Sequence, residues 1–543
     1  MLIVPPAELG LPESFAQWRG RQDEAIFRAI DSEQRFIALC LPTGFGKSIT
    51  AMGYAQQLAA LNPSTRVVYL TSTRALQDQI DRDFGSVDGF TDVRGKSNYN
   101  CTEQSYSSSM LVSAEYRTRK RTCEDGHRGD PIPCGSISSG GCPYKAAAAR
   151  ARTQRFVVTN YSYYLSANEY GDGVGSVDVL ICDEAHELPE EVAAFLRVTL
   201  KKREIESVLQ THMPRFTFAP EWKEWAEKHV LTVKGMLDSA SEPSERVRLN
   251  ELYTALDRAA TRVSGEWVVE VRDTPGPGAE VGDVSIEPVW PGPYTESVLF
   301  RGVKKVLLLS ATLRPKMLQL MNLKKSEVEW VEYPSTFPVK NRPVIFIKSS
   351  PRLSSKSSDS DLRVWASKID NIIRKRLDRK GIIHTVSYKR AKELAAVSEF
   401  SRYFILPSSF NTRVLVEEFR RAPAPSVLVS PAVTTGYDFP FDQAQYQIIA
   451  KLPFPDSRNP VMEARQKQDG DYPMLLTMLS IVQAAGRGVR GPTDRCETFI
   501  VDGQWAWFHK KFRAFAPQWF FDACSTVDLI SSPAWEVDGE IAV

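Results

Sequence analysis

Residues 41–50, LPTGFGKSIT, constrain this chain more than any other stretch of it. They follow an apolar run, residues 35–40 (RFIALC), and lead into a helix-like segment, residues 47–61. Strand, glycine turn and helix in that order form a phosphate-binding loop. Around Thr43, Gly44 and Gly46 the backbone N–H groups can turn inward onto phosphate oxygens, and the helix N-terminus adds positive potential. Lys47 supplies a cation for the β/γ-phosphates, and the Ser48 hydroxyl a ligand for Mg²⁺. A second segment, residues 177–188 (VDVLICDEAHEL), ends a buried strand on Asp183 and Glu184. One carboxylate, Asp183, can share the metal with Ser48 while Glu184 orients the attacking water, the division of labour phosphoryl transfer requires. Each segment alone has a plainer reading, as a turn before a helix or a solvated strand end. Together, in this order, they point to a magnesium–nucleotide site, and an ATP-driven motor is expected.

At 543 residues the chain is long enough for several domains, and its 43% apolar and 25% charged residues are ordinary for a soluble globular protein. No apolar run approaches the ~20 residues that cross a bilayer. The N-terminus, MLIVPPAELG, lacks a basic region and a long apolar core, so a cytoplasmic, non-membrane protein is expected. Net charge is only +2, so any nucleic-acid surface must be local.

Of eight cysteines, Cys40, Cys182, Cys496 and Cys524 read as structural thiols. Cys101, Cys123, Cys134 and Cys142 are concentrated in a Ser-, Gly- and charge-rich segment that lacks the residues of a core. Four thiolates around a metal centre would order it, because metal-binding free energy becomes folding free energy. Disulfides are disfavoured in a cytosolic protein. Zinc sites usually contain close Cys pairs, whereas the steps here are 22, 11 and 8 residues. An iron–sulfur cluster accommodates wider spacing, so spacing alone leaves cluster and zinc both open. Residues 101–158 hold nine Lys/Arg against five Asp/Glu, with Tyr106 and Tyr116 interleaved, a composition that suits either single-strand binding or a solvated face.

Continuous apolar runs at residues 344–348, 381–385, 426–430, 446–450 and 498–501 alternate with helix-like stretches, which predicts a second parallel sheet with covered faces. Its last motif, residues 483–490 (QAAGRGVR), carries Gln483, Arg487 and Arg490. The two arginines share one face and can reach across an interlobe cleft as arginine fingers. The aromatic stretch 505–521 reads as core packing, residues 349–361 as a surface loop, and the tail after Cys524 as a flexible end.

Residues 94–101 (RGKSNYNC) and 141–145 (GCPYK) closely resemble the borders of the iron–sulfur domain of XPD- and DinG-type helicases. The phosphate loop has Leu41 where the general GxxxxGK[ST] loop has Gly, and its PTGxGKS form is typical of superfamily 2 helicases. The similarity runs along nearly the whole chain, and it implies a [4Fe–4S] cluster on Cys101, Cys123, Cys134 and Cys142. By the same resemblance Gln22, in WRGRQ, reads the adenine, and Asp438, in residues 430–440 (SPAVTTGYDFP), belongs to the nucleotide site. Thr71, Thr73 and Arg74 (LTSTR), Asn160 and Tyr161 (VVTNY), and Ser387 and Tyr388 (HTVSYKRA) would face nucleic acid. Residues 306–313 (VLLLSATL) resemble the motif that links hydrolysis to nucleic-acid grip.

The expected fold is α/β: two RecA-like lobes with an iron–sulfur insertion and a helical, arch-like insertion. Lobe one is expected in three parts (1–95, 158–195 and 266–335), the cluster domain at 96–157, the arch at 196–265 and lobe two at 336–543. Residues 266–271 and 284–289 are expected to return the chain to lobe one. The resemblance implies a monomeric DNA helicase, short for its group and without a nuclease domain, moving 5′→3′ on single-stranded DNA and splitting forked duplex. An RNA-directed or translocase-only ATPase, or a scaffold independent of turnover, are the alternatives.

Overall fold

The computed structural model describes residues 3–99, 142–273, 281–354, 356–407, 412–431, 439–491 and 493–528. Strands are numbered in chain order: β1 (Phe36–Cys40), β2 (Val67–Thr71), β3 (Phe90–Asp92), β4 (Phe156–Asn160), β5 (Val179–Cys182), β6 (Val198–Leu200), β7 (Trp267–Asp273), β8 (Val281–Pro288), β9 (Lys305–Ser310) and β10 (Val328–Glu332). Then come β11 (Val344–Ile347), β12 (Gly381–His384), β13 (Phe404–Ile405), β14 (Val427–Ser430), β15 (Tyr446–Ile449), β16 (Glu497–Ile500) and β17 (Cys524–Val527). Among the described residues these form two seven-stranded parallel sheets and one three-stranded antiparallel sheet.

Lobe one has the order β10-β1-β9-β5-β2-β4-β3. β1, β2 and β5 are buried along their whole length, which is why their sequences are unbroken apolar runs. β9 lies between β1 and β5, with Cys40 opposite Ser310 and Cys182 opposite Leu308. The phosphate loop, the SAT turn and the DEAH turn therefore leave three adjacent strands at one carboxyl edge, where open α/β sheets bind ligands.

Lobe two has the order β13-β14-β12-β15-β16-β11-β17. A chain of hydrogen bonds runs through its interior from His384 to Gln447 (3.1 Å) and on to Thr498 (2.9 Å). Trp505, Phe508, Phe512 and Trp519 pack into its core as expected. Cys524 begins an edge strand beside β11, so the segment is ordered through Val527. The loop after β11 is also packed: Ser350 donates to the Ile347 carbonyl and Leu353 is buried.

One expectation is corrected. β7 and β8 do not rejoin the main sheet; they pair with each other and with β6 in the antiparallel order β6-β8-β7. The seven residues between them suffice for a hairpin, whereas adjacent parallel strands need a crossover of a dozen or more. The insertion thus includes this sheet as well as the helices Ala219–Ser239 and Pro243–Arg262, and the chain returns to lobe one only at β9. It has no separate core: Trp222 and Leu256 belong to the same apolar cluster as Val68, Val157 and Leu308.

Candidate active site

The phosphate loop turns on Gly44 (φ +80°) and Gly46 (φ +89°), a backbone conformation that side chains with a Cβ rarely adopt. Both positions are also crowded. A Cβ on Gly44 would lie 1.9 Å from the Phe337 ring, and one on Gly46 2.4 Å from the Gln22 amide nitrogen. Gln22 is buried against the loop, where its Nε2 donates to the Phe45 carbonyl (2.6 Å) and its Oε1 accepts from the Arg19 amide (2.9 Å). Phe337 comes from the connection between the lobes and packs on Val489, between the two arginines of lobe two.

Lys47, first in the helix Lys47–Leu61, pairs with Glu184 at 3.3 Å. Asp183 is buried; its Oδ2 accepts from the Tyr69 hydroxyl (2.9 Å) and its Oδ1 from the Glu184 amide (2.9 Å). Ser48 also lies close enough to act on the Tyr69 hydroxyl, so this tyrosine neighbours both residues that can hold Mg²⁺. Glu184 has φ +49°, an uncommon conformation for a residue with a side chain and a common signature of functional turns.

Burial opposes the charge on Lys47, but Glu184 and Asp183 outweigh it and raise its pKa. Burial likewise opposes the charge on Glu184, but Lys47 outweighs it and lowers its pKa. Burial, reinforced by Glu184, pushes Asp183 up to about 6. A carboxyl raised in the folded state stabilises the metal-free fold most fully below its unfolded pKa, and that contribution is lost as pH rises through about 6. The ionised Asp183 carboxylate would hold Mg²⁺, and that binding would offset the loss. The increase in melting temperature on adding Mg²⁺ is therefore expected to be large at pH ~7.5 and to fade below about 6. Equal increments at pH ~5 and ~7.5 would contradict this role for Asp183.

His186, whose pKa burial lowers, joins three motifs. Its Nδ1 donates to the Ser310 hydroxyl (2.8 Å), while its Nε2 meets the Gln483 amide of lobe two. A neutral ring protonated at Nδ1 satisfies both contacts. Lobe two closes over the site at Thr43 as well, where a Cβ on Gly486 would lie 2.8 Å from the Thr43 hydroxyl. The result is one cavity of about 640 Å³, lined by Thr43, Gly44, Gly46, Lys47, Ser48, Asp183 and Glu184 from lobe one and by Gln483, Arg487 and Arg490 from lobe two. That volume is within the usual range for a ligand pocket.

Residues 16–218 match the family profile described as "Type III restriction enzyme, res subunit", and residues 373–522 match "Helicase C-terminal domain". A probable ATP-dependent helicase of Methanocaldococcus jannaschii is 29% identical over 185 residues, which are 31% of this chain and 27% of that protein. The chain thus matches about a quarter of that relative's length. Two solved structures superpose over almost the whole chain. A structure titled XPD helicase has a TM-score of 0.58 at 14% identity, covering 93% of this chain and 98% of that one. An Xpd4 structure from S. tokodaii has a TM-score of 0.56 at 12% identity, covering 94% and 100%. The chain has the fold of these XPD helicase structures. The two family profiles fall on the two lobes, the first on lobe one and the second on lobe two.

Within this fold the residues expected to face nucleic acid are divided in two. Thr71 and Tyr161 are both buried, Thr71 donating to the Thr73 carbonyl (3.2 Å) and Tyr161 to the Asp183 carbonyl (2.6 Å). Their hydroxyls support the turns beneath the site rather than facing outward. Thr73, Asn160 and Ser387 each cap a helix N-terminus, accepting from Leu76, Tyr163 and Arg390 respectively. Arg74 and Tyr388 are exposed.

Asp438, Cys101, Cys123 and Cys134 lie outside the described residues. Cys142 is half-buried at the N-terminus of the helix Pro143–Thr153. Among the described residues no three His, Cys, Asp or Glu side chains cluster as a metal site. The two borders of the cysteine segment do meet, with the rings of Tyr99 and Tyr144 5.7 Å apart. Cys101 follows Tyr99 by two residues and Cys142 precedes Tyr144 by two, so a short base joins the ends of the segment. Among the described residues no helix is long and apolar enough to cross a membrane.

Tyr69, His186 and Phe337 are the site residues to which sequence reasoning assigned no role. Tyr69 carried a signal, as a hydroxyl inside a buried strand; Phe337 carried none.

Proposed function

We propose that this protein is an ATP-driven DNA helicase that moves 5′→3′ on single-stranded DNA and separates forked duplex, acting as a monomer. The observation that carries the reading is the single cavity shared by Lys47 and Asp183 on one side and Arg487 and Arg490 on the other.

Before ATP arrives, Lys47 is paired with Glu184. The β/γ-phosphates compete for that ammonium, and as Lys47 turns to them Glu184 is freed to orient water. Ser48 and Asp183 would hold Mg²⁺, which supplies charge neutralisation between the phosphates. Arg487 and Arg490 meet the charge that develops on the transferred group. His186 bonds Ser310 and Gln483 together, so movement at the DEAH turn reaches both the SAT turn and lobe two. Closure and release of the cleft then grip nucleic acid alternately across the two lobes.

The four cysteines fit a [4Fe–4S] cluster: Cys142 begins an eleven-residue helix, whose N-terminus favours a thiolate, and the segment borders are already joined. Held by Cys101, Cys123, Cys134 and Cys142, the cluster would supply a rigid cross-link to a segment with little apolar sequence. Cys101→Ser is expected to lose iron and duplex separation but keep ATP hydrolysis within a few-fold, roughly the range for a residue outside the cleft. Normal unwinding by that variant would refute the role.

ATP hydrolysis measured with single-stranded DNA and with RNA, alongside unwinding of forks bearing 5′ or 3′ tails, tests the proposal. Stimulation by DNA and opening of 5′-tailed forks are expected. Stimulation by RNA alone, or hydrolysis without strand separation, would replace it with an RNA-directed or translocase reading.

A further inference from the structure

Arg465 lies in the lobe-two helix Pro460–Gln468, outside every motif above, and is 3% exposed. Its Nε donates to the Val289 carbonyl (2.7 Å), where the inserted sheet returns towards lobe one. Its Nη1 donates to Glu190 Oε1 (2.5 Å) and to the Tyr472 hydroxyl (3.3 Å). The Tyr472 hydroxyl donates in turn to the same Glu190 oxygen (2.6 Å). The guanidinium also lies 5.6 Å from the ring centroids of both Trp290 and Tyr472. Glu190 belongs to the helix Leu188–Leu196, which directly follows the DEAH turn. One buried cation thus ties together lobe two, the DEAH-proximal helix of lobe one and the end of the insertion.

This contact and the Gln483–His186 contact sit at opposite ends of one helix, Tyr472–Ala485. At about 1.5 Å per residue its fourteen residues span roughly 20 Å. Near the clamp, Tyr472, Leu475 and Leu479 belong to the apolar cluster of lobe one. A second bridge, Lys316 to Asp469 (2.8 Å), flanks the same end. At the far end, Gln483 meets His186 through a single neutral contact, and Arg487 and Arg490 follow. The two ends differ in kind. Separating a buried guanidinium from its carboxylate strands a charge, whereas an amide–imidazole contact exchanges readily with water.

We propose that Arg465 is a positioning residue and that its clamp is the fixed pivot of the interlobe motion. From that pivot the helix Tyr472–Ala485 carries the arginines onto the γ-phosphate, and through Val289 and Trp290 the insertion gains a mechanical hold on the swing. The proposal rests on the ATPase reading above and adds to it where the moving lobe is anchored.

The test uses the full chain with spin labels at the exposed positions 88 and 378, one in each lobe, attached by chemistry that spares the cysteines. In Arg465→Met the distribution of interlobe distances is expected to broaden. Its kcat for ATP should fall ~10-fold or more while KM stays within about two-fold, because ATP seats first on lobe one. Arg465→Lys, which keeps the charge, should recover a part of kcat. Unchanged distances and unchanged kcat in Arg465→Met would overturn the proposal, as would a lowered melting temperature with neither change. Should that variant fail to fold, Glu190→Gln at the half-exposed end of the clamp decides: a broader distribution supports the pivot and an unchanged one overturns it. Absence of ATPase activity in the wild type would defeat the functional reading, while the distance measurement would still decide the clamp.

Discussion

Lys47→Ala is expected to abolish turnover, lowering kcat for ATP by about 10²–10³-fold or more, the scale of losing a preorganised charge at a reacting centre. Its ammonium stands at the helix N-terminus, faces the shared cavity and is held there by Glu184 at 3.3 Å. Among the described residues lobe one lines the cavity with no other Lys or Arg, and the loop around Lys47 offers backbone N–H groups and the Thr43 and Ser48 hydroxyls. The variant should also be less stable without nucleotide. Asp183 and Glu184 would remain adjacent with no cation between them, and leaving a partly buried carboxylate without its partner costs ~1–3 kcal/mol. Both carboxyl pKa values would rise, so that loss should shrink as pH falls and the acids protonate. Phosphate release and thermal melting across pH check both statements. Turnover within tenfold of wild type would remove Lys47 from the mechanism.

Arg487→Ala is expected to lower kcat by ~10³-fold, at the lower end of what an arginine finger contributes. KM for ATP should change little, because the ground-state contacts come from the phosphate loop of lobe one. The distinction matters physically. A residue that binds substrate and transition state equally moves KM, whereas one that meets only the developing charge moves kcat. Arg487 also lies near His186 and His384, so its charge is felt at both the DEAH turn and the lobe-two sheet. A pure KM effect, or no effect, would place the arginines outside the reaction.

Much of the site was legible in the chain because its parts are local. A phosphate loop is ten contiguous residues, and buried parallel strands announce themselves as unbroken apolar runs such as FIALC and VLIC. Strand order was not legible. That β9 intervenes between β1 and β5, and so brings Ser310 to His186, is a property of the sheet and of no short segment. Short edge strands such as Phe404–Ile405 and Cys524–Val527 offer too few residues for a periodic signal. The bracing roles of Thr71 and Tyr161 were not legible, because hydroxyls at strand ends look alike in sequence whether they face solvent or brace a turn. Only the hydrogen bonds to Thr73 and Asp183 separate the two cases. The pairing of β7 with β8 was also open to inference, since the connecting loop is too short for a parallel crossover.

The most direct test of the central claim, that one nucleotide is gripped from both lobes, is an experimental structure with Mg²⁺ and a non-hydrolysable ATP analogue. The account predicts Lys47 and either Arg487 or Arg490 within about 3 Å of phosphate oxygens, with the Lys47–Glu184 pair broken. An analogue seated on lobe one with both arginines turned away, or bound in another cavity, would contradict it.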